Sequence, residues 1–64
     1  MKPVCKRYKT LIDGINRLER GLYTTVNVGW CCDTIAWLWK WRKITESEME
    51  SLCDRMIAIM GHGN

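Results

Sequence analysis

The last third of the chain repeats apolar residues with the spacing of an α-helix. Thr45 and Glu48 form a capping-box pattern at its start, in which each side chain accepts a hydrogen bond from the backbone N–H of the other residue. Gly61 follows the last apolar residue and is a natural helix stop. The pattern predicts a helix over 45–60 and a tail over 61–64. Its apolar stripe comprises Met49, Leu52, Cys53, Met56, Ile57, Ile59 and Met60.

The first third of the chain has a second helical stripe, which predicts a helix over 4–20. Pro3 suits the start of this helix, and Gly21 suits its end. Gly14 lies inside it, at a cost of up to about 1 kcal/mol relative to alanine, and we expect it to allow the close approach of a neighbouring segment. The stripe comprises Val4, Tyr8, Leu11, Ile12, Ile15 and Leu18.

The middle segment predicts a helix over 28–43, with Asn27 as its N-cap after a loop over 22–27. An ordinary surface helix has an apolar face little wider than about 100°, but this one has two apolar faces. We expect the first face to enter the core; it comprises Val28, Cys31, Cys32, Ile35, Leu38 and Trp39. The second face comprises Trp30, Thr34, Trp37 and Trp41.

The second face is more than two further helices are expected to cover. Large exposed aromatic patches usually mark interaction sites, and tryptophan is enriched at binding hot spots. We therefore expect Trp30, Trp37 and Trp41 to contact something outside the monomer, most simply a second copy of the chain. The expected fold is all-α, with a single domain over 1–64 that forms a three-helix bundle and assembles into a homodimer or larger oligomer.

The four cysteines are expected to be free thiols. No signal-peptide pattern precedes the first helix, and no apolar run approaches the roughly 20 residues that span a bilayer. These features favour a complete cytoplasmic protein, in a compartment that keeps thiols reduced, and they disfavour a membrane role. Because Cys31 and Cys32 point about 100° apart on a helix, we interpret them as buried apolar thiols rather than metal ligands.

Catalytic chemistry is not expected. The only histidine, His62, follows the last helix and leaves no credible Cys-His or Ser-His-Asp arrangement. The acidic residues of the third helix suit capping and dipole roles at its surface; they are Glu46, Glu48, Glu50 and Asp54. The sequence therefore indicates a non-enzymatic binding protein that uses no metal and no cofactor.

An anionic nucleotide is one candidate ligand of such a protein. In an oligomer, the tryptophan face would stack on a base while a cation pairs with phosphate. The candidate cations are Arg7, Arg17, Arg42 and Lys40. In the other version, the same aromatic face docks directly on a host protein and blocks it.

Nucleic-acid binding is the alternative function, and it follows from the charge distribution. The net charge is +3, but residues 1–21 carry six Lys or Arg against two Asp or Glu, whereas residues 44–64 carry one against four. The basic face of the first helix and the cluster Lys40–Lys43 would contact phosphates, and Trp39 or Trp41 would stack on bases. The second and third helices resemble a helix-turn-helix, but the acidic face of the third would repel DNA.

The segment "KITESEMESLCDRM", residues 43–56, places a turn, a threonine-initiated acidic helix start and a Leu-x-Asp-Arg core in order. In this it resembles small helical accessory proteins encoded by phages and prophages of Gram-positive bacteria. The resemblance implies action against host machinery, such as inhibition of a CRISPR effector or sequestration of a signalling nucleotide. Imitation of DNA by a dense acidic surface does not fit a chain of charge +3, which leaves protein docking or ligand capture.

Overall fold

The computed structural model describes residues 5–61, which fold into three α-helices. These are α1 (Lys6–Arg20), α2 (Val28–Lys40) and α3 (Glu46–Gly61), and the described residues form no strand. Each helix contacts the other two, so the predicted all-α three-helix bundle is confirmed. The predictions for Pro3, Val4 and the tail after Gly61 lie outside the described residues.

The core lies between the three helices and draws on all of them. Its buried members are Leu11 and Ile15 of α1, Cys31, Ile35 and Leu38 of α2, Ile44 before α3, and Leu52 and Met56 of α3. Thr34 is buried among the α2 contributions. Every α1 and α3 residue in this set belongs to the stripe that the sequence pattern predicted. On α2, the prediction is confirmed for Cys31, Ile35 and Leu38, but it is wrong for Cys32 and Trp39, which are exposed.

The hairpin of α1 and α2 closes around Gly14. A Cβ atom on Gly14 would lie far inside van der Waals contact of Val26 Cγ2, in the link between the two helices. The expected close approach is therefore confirmed, and its partner is the link rather than a helix. Because Arg7 contacts Trp37 at the other end of the hairpin, α1 and α2 run antiparallel.

Helices α1 and α2 end in the same hydrogen-bonded C-cap motif. In α1, the N–H of Leu22 donates to the carbonyl of Arg17 at 2.8 Å, and the N–H of Gly21 donates to that of Leu18 at 3.2 Å. This is the Schellman motif, with Gly21 in the left-handed conformation at φ 70°. Glycine adopts this conformation without steric cost, which explains why the predicted end of α1 is correct.

The prediction that the second helix continues to residue 43 is wrong, because α2 ends at Lys40. The N–H of Lys43 donates to the carbonyl of Leu38 at 2.8 Å, and the N–H of Arg42 donates to that of Trp39 at 3.1 Å. Arg42 takes the left-handed position at φ 59°, where a side chain costs about 1–2 kcal/mol. The turn carries the chain directly into the buried Ile44, whose packing offsets that cost.

The start of α3 has the predicted capping box. The N–H of Thr45 donates to Glu48 Oε1 and the N–H of Glu48 donates to Thr45 Oγ1, both at 3.1 Å. Two otherwise unsatisfied donors at the helix start are thereby bonded. The cap begins the helix at Glu46, one residue after the predicted start.

A salt bridge between Arg55 and Glu19 connects α3 to α1 at the bundle surface. Arg55 Nε and Nη2 donate to the two carboxylate oxygens of Glu19 at 2.9 and 2.6 Å, and Nη2 also donates to Asn16 Oδ1 at 2.7 Å. This bidentate geometry is the strongest form of an Arg–carboxylate pair. The hydrogen bonds from Arg55 hold the pKa of the Glu19 carboxyl below its usual value of 4.5.

The salt bridge between Arg55 and Glu19 should make a contribution to the stability of the fold that is lost in acid. Because the pKa of Glu19 is lowered in the folded state, its contribution is present above pH 4.5 and is lost as the pH falls through the folded pKa. Glu19→Gln should therefore flatten the fall of unfolding free energy with acidification, by up to about 1 kcal/mol for a partly exposed pair. Arg55→Gln should flatten it equally. Denaturant titrations at several pH values test this, and parallel profiles for Glu19→Gln and wild type would contradict it.

Candidate functional site

The structure turns two of the predicted surface tryptophans inward. Trp30 and Trp37 are half-buried and pack against the core, so the prediction that they form an uncovered stripe is wrong. The Arg7 guanidinium lies 4.3 Å from the ring centroid of Trp37, in cation–π contact. Helix α1 therefore approaches α2 on the flank that the sequence pattern left open.

The opposite flank of α2 is open instead. Cys32 and Trp39 were predicted to enter the core, but Cys32 is exposed and Trp39 is 36% exposed. The buried centre of α2 lies at Cys31, Thr34 and Leu38, and Cys32 and Trp39 lie about 80–100° or more from it on the helix. The prediction that Cys32 and Trp39 enter the core is therefore wrong.

Helix α3 also has apolar side chains outside the core. Ile57 is 63% exposed and Met60 is 52% exposed. With a rotation of about 100° per residue, both lie some 140–160° from Arg55, which marks the α1 side of α3. Cys32 and Trp39 lie equally far from Trp37, which marks the α1 side of α2.

These four residues therefore share one side of the bundle. Since α2 and α3 contact each other and both sets point away from α1, the sets flank the outer seam between α2 and α3. We call this area the α2–α3 surface; it comprises Cys32, Trp39, Ile57 and Met60. All four belong to apolar stripes that predict burial, and no signal in the sequence indicates that they are exposed together.

The predicted cations are divided between the two ends of the bundle. Arg17 Nε donates to Asp13 Oδ2 at 3.0 Å and Nη1 donates to the carbonyl of Tyr23 at 3.3 Å, which ties Arg17 to the end where α1 stops. Arg7 and Arg42 belong to the end where α1 starts and α2 stops. A single protomer therefore does not bring the four predicted phosphate ligands together with the tryptophans.

Several cations do meet at the end where α1 starts. The pKa of the Cys5 thiol is lowered, first by a hydrogen bond from the backbone N–H of Tyr8 and further by the charges of Lys43 and Arg7. Cys5 is thus close to cations from both α1 and the turn after α2. We call this region the basic end; its exposed cations are Lys6, Arg7, Lys40, Arg42 and Lys43. Trp41 lies beside them, 58% exposed, with Lys40 Nζ 5.9 Å from its ring centroid.

All four cysteines are free thiols. Cys31 is buried as expected, and burial raises its pKa, which makes it a poor nucleophile. Between residues 5 and 61, no three His, Cys, Asp or Glu side chains gather in a way that would hold a metal ion. His62, the remaining candidate ligand, lies outside the described residues.

No helix of the described chain has the length and apolar character needed to cross a membrane.

Comparison with known proteins gives no relative. No family model matches the chain, and neither a curated protein nor a solved structure matches it significantly.

Proposed function

We propose that this chain is a non-enzymatic binding protein that docks on other polypeptides through the α2–α3 surface. The observation that carries the proposal is the exposure of Trp39, Ile57 and Met60 on one side of a very small bundle. Apolar side chains exposed on one side of so small a bundle are unfavourable in water and usually mark a binding surface. Trp39 supplies the residue type most enriched at binding hot spots.

A second copy of the chain is the first occupant that this surface fits. Its acidic flank has Asp54 one helical turn before Ile57 and Glu50 one further turn before Asp54, and both are exposed. Its basic flank has Lys40 next to Trp39, followed by Lys43. A surface with both signs at opposite edges is self-complementary under a two-fold axis, whereas a surface of one sign would repel its copy.

Burial of the surface would also stabilise the fold. A domain of this length buries only about 60% of the area that its unfolded chain exposes, and it is correspondingly marginal. Association through an apolar face adds stability by mass action. A homodimer that forms in the absence of a target therefore serves both the solubility and the stability of the protein.

The target we propose is a host protein in the cytoplasm of a bacterium. The resemblance of residues 43–56 to phage and prophage accessory proteins supports a role as an inhibitor of a host defence enzyme, such as a CRISPR effector. Docking on that enzyme would replace the second copy on the α2–α3 surface. Nucleotide capture is less well supported, because Arg17 is engaged with Asp13 and Tyr23 far from the exposed tryptophans.

The experiment introduces a charge into the α2–α3 surface and a matched charge elsewhere. Ile57→Glu places a carboxylate in the proposed interface, whereas Leu22→Glu places one on a comparably exposed apolar residue of the α1–α2 link. In sedimentation equilibrium at about 10–100 µM, a range suited to a small interface, wild type and Leu22→Glu should be dimers. Ile57→Glu should be a folded monomer, because burial of an unpaired charge is strongly unfavourable.

A second readout tests the role of the surface in inhibition. Expression of the wild-type protein in bacteria with an active CRISPR system should raise the plating efficiency of a targeted phage. Leu22→Glu should retain this effect and Ile57→Glu should lose it. A wild-type protein that stays monomeric over the whole concentration range, or equal behaviour of the two variants, would overturn the proposed surface.

A further inference from the structure

The basic end joins two segments that are far apart in sequence. Antiparallel packing of α1 and α2 places Lys6 and Arg7 beside the turn that follows Lys40. The contact of Arg7 with Trp37, together with the influence of both Lys43 and Arg7 on Cys5, shows that these segments are adjacent. The fold therefore concentrates positive charge that the linear sequence distributes over its first and second thirds.

The cations of the basic end are not neutralised by acids within the described chain. The ion pairs formed among residues 5–61 are Arg17 with Asp13 and Arg55 with Glu19, and neither involves this region. Glu48, the nearest carboxylate with a defined role, is engaged by the backbone N–H of Thr45. Glu46 and Glu50, in the first turns of α3, are exposed. The five gathered cations outnumber the three carboxylates at the start of α3, repel one another and attract a polyanion.

Trp41 gives this end a flat apolar face. It follows α2 and is absent from the residues that form or pack against the core, so folding does not explain its exposure. The nearby Lys40 ammonium group places a positive charge beside the ring. An exposed aromatic ring bordered by cations is the combination that binds a nucleobase and its phosphates.

The backbone at Arg42 supports a role for its side chain. Arg42 holds the left-handed position of a Schellman turn, where glycine is the usual and least costly residue. At the equivalent position of α1 the chain has Gly21. Arginine at this position therefore lowers the stability of the turn while it adds a charge between Trp41 and Lys43.

From this geometry we propose that the basic end binds single-stranded nucleic acid. Its cations contact successive phosphates, and Trp41 stacks on one base. Stacking requires a base whose face is free, which favours a single strand over a duplex. The acidic flank of α3 further disfavours insertion of that helix into a major groove. The site shares Lys40 and Lys43 with the basic edge of the α2–α3 surface, but Trp41, Arg42, Lys6 and Arg7 lie outside that surface, and the binding proposed here does not require association through it.

The experiment measures the fluorescence anisotropy of a labelled oligothymidylate of about ten nucleotides, a length suited to a small single-strand site. An oligouridylate and a duplex of equal length serve as further probes. Wild type should bind both single strands more tightly than the duplex. The affinity should fall with salt at a slope of about −2 to −3.5, as expected for release of counterions from three to five phosphates.

Arg42→Gly is the most informative variant because folding and binding should change in opposite directions. Removal of the side chain should stabilise the left-handed turn, yet it should weaken binding roughly fivefold at low salt and make the salt slope shallower by about 0.7. Trp41→Ala should weaken binding roughly 5- to 100-fold with an unchanged salt slope. Arg20→Gln removes the same charge from the last turn of α1, at the opposite end of the bundle, and should change the affinity less than twofold.

Three results would overturn the proposal. These are the absence of salt-sensitive binding at low ionic strength, equal losses for Arg42→Gly and Arg20→Gln, and an unchanged affinity for Trp41→Ala. Ile57→Glu separates this site from the α2–α3 surface, since a monomeric variant should still bind the oligonucleotide. Failure of either proposal therefore leaves the other independently testable.

Discussion

Replacement of Trp37 by alanine should destabilise the protein by about 2–3 kcal/mol, somewhat less than truncation of a fully buried tryptophan. Trp37 packs against the core and lies beneath the Arg7 guanidinium, so its loss opens a gap and removes a cation–π contact. For a domain of this size the change corresponds to a fall in Tm of roughly 10–20 °C. Denaturant titration at low protein concentration measures the change in unfolding free energy.

Trp39→Ala is the matched control for that variant. The two tryptophans lie two residues apart on α2, but Trp39 is exposed on the α2–α3 surface. Its replacement should lower the unfolding free energy of the monomer by less than Trp37→Ala does, because Trp39 does not pack against the core, while it weakens self-association. A larger loss of monomer stability for Trp39→Ala than for Trp37→Ala would restore the orientation of α2 that the sequence pattern suggested.

Gly14→Ala should destabilise the protein by about 1–2 kcal/mol, although alanine is the better helix former. The gain in helix propensity is at most about 1 kcal/mol. Overpacking against Val26 Cγ2 opposes it, with a cost of about 1–3 kcal/mol, because Val26 is β-branched and half-buried and has little freedom to move.

Two further variants distinguish the effect of steric overlap with Val26 from the effect of alanine's higher helix propensity. Gly29→Ala adds the same methyl group to an exposed helical glycine, where the nearest neighbour is Asn27 Oδ1 at an acceptable 3.4 Å. It should be neutral or stabilising. In a double-mutant cycle, Val26→Ala should cost less in the Gly14→Ala background than in wild type. Stabilisation by Gly14→Ala would mean that the link does not pack against α1 as described.

The helix ends were the most predictable part of the fold, since they depend on local chemistry. Thr45 and Glu48 satisfy donors that any helix leaves open, and Gly21 relieves a steric cost that any L-residue meets. Arg42 shows the limit of this reasoning. No glycine or asparagine marks the left-handed position that Arg42 occupies. The apolar pattern therefore predicts a helix that continues through the turn, whereas α2 ends at Lys40.

The orientation of α2 could not be predicted from its own residues. An amphipathic helix with one apolar face has one way to pack, but α2 is apolar around most of its circumference. The side of α2 that is buried depends on how α1 and α3 pack against it. Contacts such as that of Arg7 with Trp37 join positions that are far apart in the sequence. The packing of α1 and α3 therefore explains why Trp30 is half-buried and Trp39 is exposed.

The basic end was partly predictable. The cations of the first helix and the Lys40–Lys43 cluster were recognised as candidate phosphate ligands, but as separate features. An antiparallel hairpin of the first two helices is sufficient to bring them together, because the start of α1 then adjoins the end of α2. Arg17, the remaining predicted phosphate ligand of the first helix, lies at the other end of that hairpin.

The central claim, that the α2–α3 surface is the binding surface, is tested most directly by the four tryptophan indole N–H signals in a ¹⁵N NMR spectrum. On dilution from about 1 mM to about 10 µM, a range that spans dissociation of a moderate-affinity dimer, the signal of Trp39 should shift. The signals of Trp30 and Trp37, which pack within the monomer, should stay in place. Four unchanged signals, or shifts confined to Trp30 and Trp37, would contradict the account.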